Sequence, residues 1–525
     1  MHPFRHAEAT PDRPAIVMFE SGQVVTYAEL DADSNRVAQL FRRLGLKPGD
    51  VVAVWLKNRA EYPAVYWGDQ RSGLMTCPVS THLKLEEVAY ILRDCGAKAL
   101  VTALDTSPDA AELIARAKEL APELRAVYAV GGAPGALDWR ESLDAMPAER
   151  VADEITGFYL VYSSGSTGRP KGINLPFTPG PIDELTPTEA QSLASRPVGP
   201  GTPVSLIPAP LYHAAPLMSF IIAHRQGATV VILEKFDAEN FLKAIETWKV
   251  TGAQVVPTMF VRLLALPDEV RSRYDLSSLE RITHAAAPCP VSVKRRMIEW
   301  MGPIIHEYYS GSEAIGRTAI TPEEWLQKPG SVGRSAWGVL HICDEAGNEV
   351  PAGETGLIYF EGVASFTYRN DAAKTARSRH PQHADWATLG DIGHVDEDGY
   401  LFLSDRKDFM IISGGVNIYP QACEDLLIGH PKVLDAAVIG VPSEAFGEEV
   451  KAIVQPKDWA DAGPVLEAEL IAYCGEHISK LACPRSIDFV RELPRLPTGK
   501  LAKHEIRRPY WPNTDRFIAG EAAKA

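Results

Sequence analysis

Between Thr26 and Thr102 the chain alternates two patterns that only a layered fold satisfies: helical apolar repeats, and short runs that are apolar on both faces. Thr26-Tyr27-Ala28-Glu29 has the spacing of a capping box, in which hydroxyl and carboxylate each satisfy a free amide at a helix start. Leu30, Val37, Leu40, Phe41 and Leu44 then recur at helical spacing until Gly45 and Pro48-Gly49. Residues 51–56 (VVAVWL) are too few for a helix and rich in valine, so they read as a buried strand. A second helical pattern over 84–95 stops at Gly96 and leads into KALVT (98–102). Strands without a polar face need cover on both sides, which predicts an α/β core of mostly parallel strands flanked by helices.

The theme continues through 158–163, 203–208, 229–233, 253–257 and 282–286. Residues 174–201, rich in Pro, Gly, Ser and Thr, read as a long loop with a short helix near 184–194, the kind of segment that forms a lid or an entrance. After Gly330, short strands and tight turns predict a β-rich subdomain over 331–405. From Phe409 the expected order is strand, hairpin, helix, strand, strand, helix, strand, a small α+β unit. A length of 525 residues suits roughly three to four domain-sized units. The predicted organisation is a large domain of βαβ-type sheets over 1–405 and a small mobile α+β domain over 406–525, with a hinge at 405–408.

Hydrophobic residues at 46% and charged residues at 23% exclude global disorder. Fifty-three basic against 68 acidic residues leave a net charge of −15, which argues against nucleic acid or an anionic membrane as the main partner. The seven cysteines show neither a CxxC pair nor zinc spacing, as suits reduced thiols. MHPFRHAEAT has no apolar signal region, GEAAKA carries no lipidation or peroxisomal motif, and the apolar stretch 217–233 is interrupted by His224-Arg225-Gln226. A cytoplasmic protein with no membrane span is the expectation.

Chemistry concentrates first in Tyr162-Ser163-Ser164-Gly165-Ser166-Thr167-Gly168-Arg169-Pro170-Lys171-Gly172. Glycines let backbone amides converge on an anion, hydroxyls add donors, and Lys171 adds charge. Such clusters also occur as plain surface turns. No Gly-Lys-Ser/Thr closes the loop, so it is not a Walker A motif.

VYSSGSTGRPKG resembles the phosphate loop of the adenylate-forming superfamily, which includes acyl-CoA synthetases, peptide-synthetase adenylation domains and firefly-type luciferases. Further matches follow in that superfamily's order: Pro210-Leu211-Tyr212-His213, Ala285-Ala286-Ala287-Pro288, Tyr309-Ser310-Gly311-Ser312-Glu313, Thr388-Leu389-Gly390-Asp391, Ser404-Asp405-Arg406-Lys407-Asp408 and Pro497-Thr498-Gly499-Lys500. The resemblance covers nearly the whole chain. It implies that a carboxylate attacks the α-phosphate of ATP, releasing pyrophosphate, and that a thiol then displaces AMP from the acyl-adenylate.

By the same resemblance Lys500 bridges carboxylate and α-phosphate, and Glu313, with Thr167, holds Mg²⁺. Asp391 binds the ribose hydroxyls, and Arg406 the ribose or phosphate side. Ser163 to Gly168 and Lys171 line the phosphates; Ala286, Ala287, Pro288, Glu307, Tyr308, Tyr309 and Ser312 lie beside the nucleotide. Tyr212, His213, Met218, Val256, Ala285, Ser310 and Gly311 shape the acyl pocket, with His213 as its gate. Asp408 is the hinge, and Gly414 and Gly415 line a coenzyme A tunnel, since a narrow tunnel excludes side chains. Ser312 replaces the usual Thr, and Ser310 and Ala286 stand where many members have Gly, so that the added side chains at these two positions are expected to shorten or reshape the pocket.

SGGVNIYP after the hinge and the lack of a carrier domain favour an acyl-CoA synthetase using ATP, Mg²⁺ and coenzyme A. An amino-acid-activating domain would carry an Asp near 213–220, and none is present. A non-catalytic sensor on the same fold would be expected to lose Lys500, Glu313 or Asp391. The apolar pocket candidates predict a hydrophobic carboxylic acid, medium to long chain or ring-bearing. A phenylpropenoic acid of the coumarate or ferulate type is the alternative, with Tyr212 and Ser310 hydrogen-bonding a ring hydroxyl. Homodimers are common in such families.

Overall fold

The computed structural model describes residues 1–163, 170–194, 201–362, 366–413, 416–495 and 500–511. Thr26 caps the helix Tyr27–Arg43 with its reciprocal Glu29 bond, and Gly96 closes the helix Leu85–Cys95 in the left-handed conformation at φ 66°. These helices cover a six-stranded sheet in which Val51–Trp55 pairs with both Met75–Pro78 and Ala97–Thr102. All its pairings are parallel, as its unbroken apolar strands require.

A second, thirteen-stranded sheet runs from Val339–Cys343 at one edge to Val24–Thr26 at the other. The helices Glu61–Gln70 and Ala214–Arg225 are buried nearly all round and share one core with both sheets. His224 ties the two helices together: its Nδ1 accepts from Trp67 Nε1 at 3.0 Å while its Nε2 donates to Ala15 O at 3.0 Å. Burial holds this imidazole neutral, with its pKa pushed down to about 4.

Two expectations change. The stretch 158–163 is split between Phe158–Tyr159 in the six-stranded sheet and Val161–Ser163 in a small three-stranded sheet with Lys171–Asn174 and Thr367–Tyr368. The β-rich stretch does not stand apart, because Ser331–Trp337 pairs with Leu401–Arg406 on one side and Arg317–Ile320 on the other. Beyond Phe409 the elements follow the expected order and form a separate five-stranded sheet. Its long hairpin, Val433–Ser443 with Gly447–Pro456, packs against the helices Gln421–Gly429 and Pro464–His477.

The helix expected within 174–201 is Pro187–Ala194. It is anchored by a buried ion pair, Arg225 Nε to Glu189 Oε1 at 2.9 Å. Removing one partner strands the other charge in the core, so Glu189→Ala should destabilise the fold by about 3 kcal/mol or more. Urea unfolding checks this. Glu189→Ala combined with Arg225→Met should lose less than Glu189→Ala alone.

Candidate active site

Four strands of the large sheet, Val204–Ile207, Gly252–Val255, Arg281–His284 and Ile305–Ser310, run parallel, so their carboxyl ends open at one edge. The chain leaving those ends supplies Pro208, Pro210 and Tyr212, then Val256 to Met259, Ala286 to Pro288, and Tyr308 to Glu313. Together with Asp391, Arg406 and Lys500 they line a cleft of about 1660 Å³.

Asp391 is the hub of one end. Its two carboxylate oxygens accept from Tyr309 Oη at 2.7 Å and Arg406 Nε at 3.0 Å. These donors and the strand pairing Asp391↔Arg406 fix the carboxylate on the cleft wall. Lys500 comes from the C-terminal segment, held where Ala502 N donates to Pro494 O at 2.9 Å. Burial and the Arg406 guanidinium push its ammonium down to about 8, although Asp391 and Glu313 pull the other way. Lys503, three residues on, forms a buried ion pair with Glu424 at 2.8 Å and so pins this segment to the helix Gln421–Gly429.

Glu313 Oε1 accepts from Tyr368 Oη at 2.9 Å. Among the described residues no group of three or more His, Cys, Asp and Glu side chains converges. A hard oxygen donor such as Glu313 nevertheless suits a Mg²⁺ ion completed by phosphate oxygens and water.

Ser163, Tyr212, Val256, Ala286, Ala287, Pro288, Glu307, Tyr308, Tyr309, Ser310, Gly311, Ser312, Glu313, Asp391, Arg406, Asp408 and Lys500 all reach the cleft. Glu307 does so with its carboxylate turned into the protein, where Oε2 accepts from Lys294 Nζ at 2.6 Å. Ser310 Oγ donates to Gly316 O at 2.7 Å, so towards a ring hydroxyl it has only lone pairs to offer. The other four predicted residues are placed by their neighbours. Ala285 is buried, Met218 packs on the core, Lys171 lies on its strand beside Ser163, and His213 sits edge-on to the Tyr212 ring at 4.6 Å. Burial, with His82 and Lys500 nearby, holds His213 neutral at about 3. Ser164, Gly165, Ser166, Thr167, Gly168, Gly414 and Gly415 lie outside the described residues.

Sequence reasoning missed Lys374, Lys294 and the Lys503–Glu424 pair. No local feature of the sequence marked Lys374, which the short helix Ala372–Arg377 carries.

The AMP-binding enzyme family model matches residues 3–367, and the AMP-binding enzyme C-terminal domain matches 422–500. The long-chain-fatty-acid–CoA ligase FadD13 of Mycobacterium tuberculosis is 29% identical over 522 residues, covering 96% of this chain and 97% of its own. Feruloyl-CoA synthase of an Amycolatopsis species is 33% identical over 517 residues, covering 97% and 98%. The ATP-bound crystal structure of MatB from Rhodopseudomonas palustris superposes with a TM-score of 0.81 at 26% identity, covering 97% and 99%.

Ala286, on the cleft wall, has φ 78°, a left-handed conformation that a β-carbon disfavours. Ala286→Gly should therefore stabilise the fold by about 0.5–1 kcal/mol, the strain relieved less the extra freedom glycine gains when unfolded. Thermal unfolding checks it. The matched domains and the cleft residues agree: the chain belongs to the AMP-binding enzymes, in the acid–CoA ligase branch of the adenylate-forming superfamily.

Proposed function

We propose that the chain is an ATP-dependent ligase that activates a hydrophobic carboxylic acid as its acyl-adenylate and transfers the acyl group to coenzyme A. The observation that carries this reading is the convergence of Lys500 with Asp391, Arg406 and Glu313 in one cleft. Asp391 offers a carboxylate to ribose hydroxyls, with Tyr309 and Arg406 holding it in place. Lys500, when protonated, stabilises negative charge as the acid's oxygen attacks the α-phosphorus and pyrophosphate departs. Mg²⁺ held by Glu313 and Thr167 would neutralise phosphate charge. A thiolate then attacks the acyl carbon and AMP leaves with the bonding electrons. Lys500 has no part in that second step if the small domain turns about Asp408 to withdraw it.

Val256, Pro257 and Met259 give the cleft an apolar flank suited to a hydrocarbon or ring. Relatives named for a long-chain fatty acid and for ferulic acid point the same way. A medium- or long-chain or ring-bearing monocarboxylic acid is the proposed substrate. The Tyr212 hydroxyl, 3.4 Å from Thr81 Oγ1, and the Ser310 lone pairs are polar groups available to a phenylpropenoic acid.

A pyrophosphate-release panel with ATP, Mg²⁺ and a range of acids, with and without coenzyme A, tests the reading. An acid that yields pyrophosphate and an acyl-CoA supports it; adenylate without coenzyme A consumption overturns the acceptor. Lys500→Ala should slow adenylation by 100-fold or more, the loss of about 3 kcal/mol expected for one transition-state donor, while thioester formation from supplied acyl-adenylate persists.

The pH dependence has a definite sign. Lys500 acts as its ammonium, whose pKa in the free enzyme is lowered to about 8. Adenylation kcat/KM for ATP should fall as pH rises through that value. Thioester formation from supplied adenylate should not show the same fall.

A further inference from the structure

The three-stranded sheet leads a further cation, Lys374, to the cleft. Lys171 pairs with Ser163 on one side of its strand, and Ile173 pairs with Tyr368 on the other. From Tyr368 the chain is tied down residue by residue. Arg369 Nε donates to Asp94 O at 2.7 Å, Asn370 Nδ2 to Asp94 Oδ1 at 2.9 Å, and Tyr368 N to Thr375 Oγ1 at 2.9 Å. Asp371 then accepts from Lys374 N at 2.8 Å. Lys374 is thereby fixed on the cleft wall, half-buried, its Nζ 4.1 Å from the Tyr368 ring centroid. The hydroxyl of that same ring donates to Glu313.

Lys171, on the strand that pairs with Thr367–Tyr368, is near enough for its charge to repel that of Lys374. Two ammoniums brought together away from bulk water repel, and Glu313 and Asp371 offset this only partly. Such a pair is stabilised when a polyanion lies against both. Of the groups in the proposed reaction, the β- and γ-phosphates carry the most charge. They are also the groups that the Mg²⁺ proposed at Glu313 would bind, and the Glu313 carboxylate meets the ring over which Lys374 lies.

We propose that Lys374, together with Lys171, holds the β- and γ-phosphates of ATP and the pyrophosphate that leaves, and so discriminates ATP from AMP. The inference rests on the adenylation reading, because pyrophosphate arises only there. In that step the acid's oxygen forms a bond to the α-phosphorus. The bond from that phosphorus to the oxygen bridging to the β-phosphate breaks, its electron pair leaves with pyrophosphate, and the two ammoniums offset the charge without any proton transfer.

Calorimetry on the full chain in the presence of Mg²⁺, with pyrophosphate, ATP and AMP as separate probes, tests the proposal. Lys374→Met should weaken pyrophosphate and ATP at least ten-fold and AMP less than two-fold, and Lys374→Arg should restore most of the loss. Lys374→Gln replaces the Met variant if the latter does not fold, as judged by circular dichroism. Pyrophosphate affinity unchanged within two-fold, or an equal weakening of AMP, overturns the proposal. A wild-type chain that binds neither ATP nor pyrophosphate overturns the ligase reading along with it. A wild-type chain that binds both yet activates no acid overturns the ligase reading alone, and the Lys374 comparison still decides the proposal.

Discussion

Charge withdrawn from water has to be matched where it sits, and the cleft is organised around that requirement. Asp391 is met by Arg406 and the Tyr309 hydroxyl, and Glu313 by the Tyr368 hydroxyl. Glu307 is met by Lys294, and Glu424 by Lys503. Two of these matches, Glu307 with Lys294 and Glu424 with Lys503, lie deep and fix backbone; the other two lie on the wall and leave oxygen lone pairs towards the cleft. A chain with a net charge of −15 would repel a nucleotide at long range, so attraction has to be local. In the reading proposed above, Lys171, Lys374, Arg406 and Lys500 would supply it from four separate stretches of chain.

That convergence follows from the architecture. Parallel strands place all their carboxyl ends on one side, so successive loops of the large sheet meet at one edge. The helices Glu61–Gln70 and Ala214–Arg225, buried between the sheets, keep that edge from shifting. The His224 bridge from Trp67 to Ala15 joins one such helix to the other and to a strand.

Features decided by neighbouring residues were legible in the sequence. The Thr26–Glu29 cap, the Gly96 stop, the valine-rich strand at 51–55 and the order of elements after Phe409 all depend on spacing within a few residues. Motif residues on the cleft wall were legible too, because each motif is a short contiguous string. Features decided by distant pairing were not. The break near Leu160 exists because Phe158–Tyr159 and Val161–Ser163 join different sheets, while the apolar pattern runs across both. The merging of 331–405 into the large sheet depends on a single strand, Ser331–Trp337, finding two partners. Ala285 opens one motif and Met218 follows another, yet Ala285 is buried and Met218 packs on the core. Lys374 lies outside every motif; only the small sheet and the Asp371 cap bring it to the cleft.

The cations of the cleft also differ in kind. Arg406 stays protonated at any working pH, and Asp391 beside it favours that charge further. Lysine is compact, strongly hydrated and readily shifted by burial. Lys374 is pushed down to about 7 by burial and by Lys171, and Lys500 to about 8 by burial and Arg406. Arg406 therefore keeps its charge whatever occupies the cleft. The lysines hold theirs only weakly until an anion arrives, and an arriving polyphosphate raises the proton affinity of both. A group that stays bound through both half-reactions suits the first arrangement. A group that must be held during attack and then released suits the second.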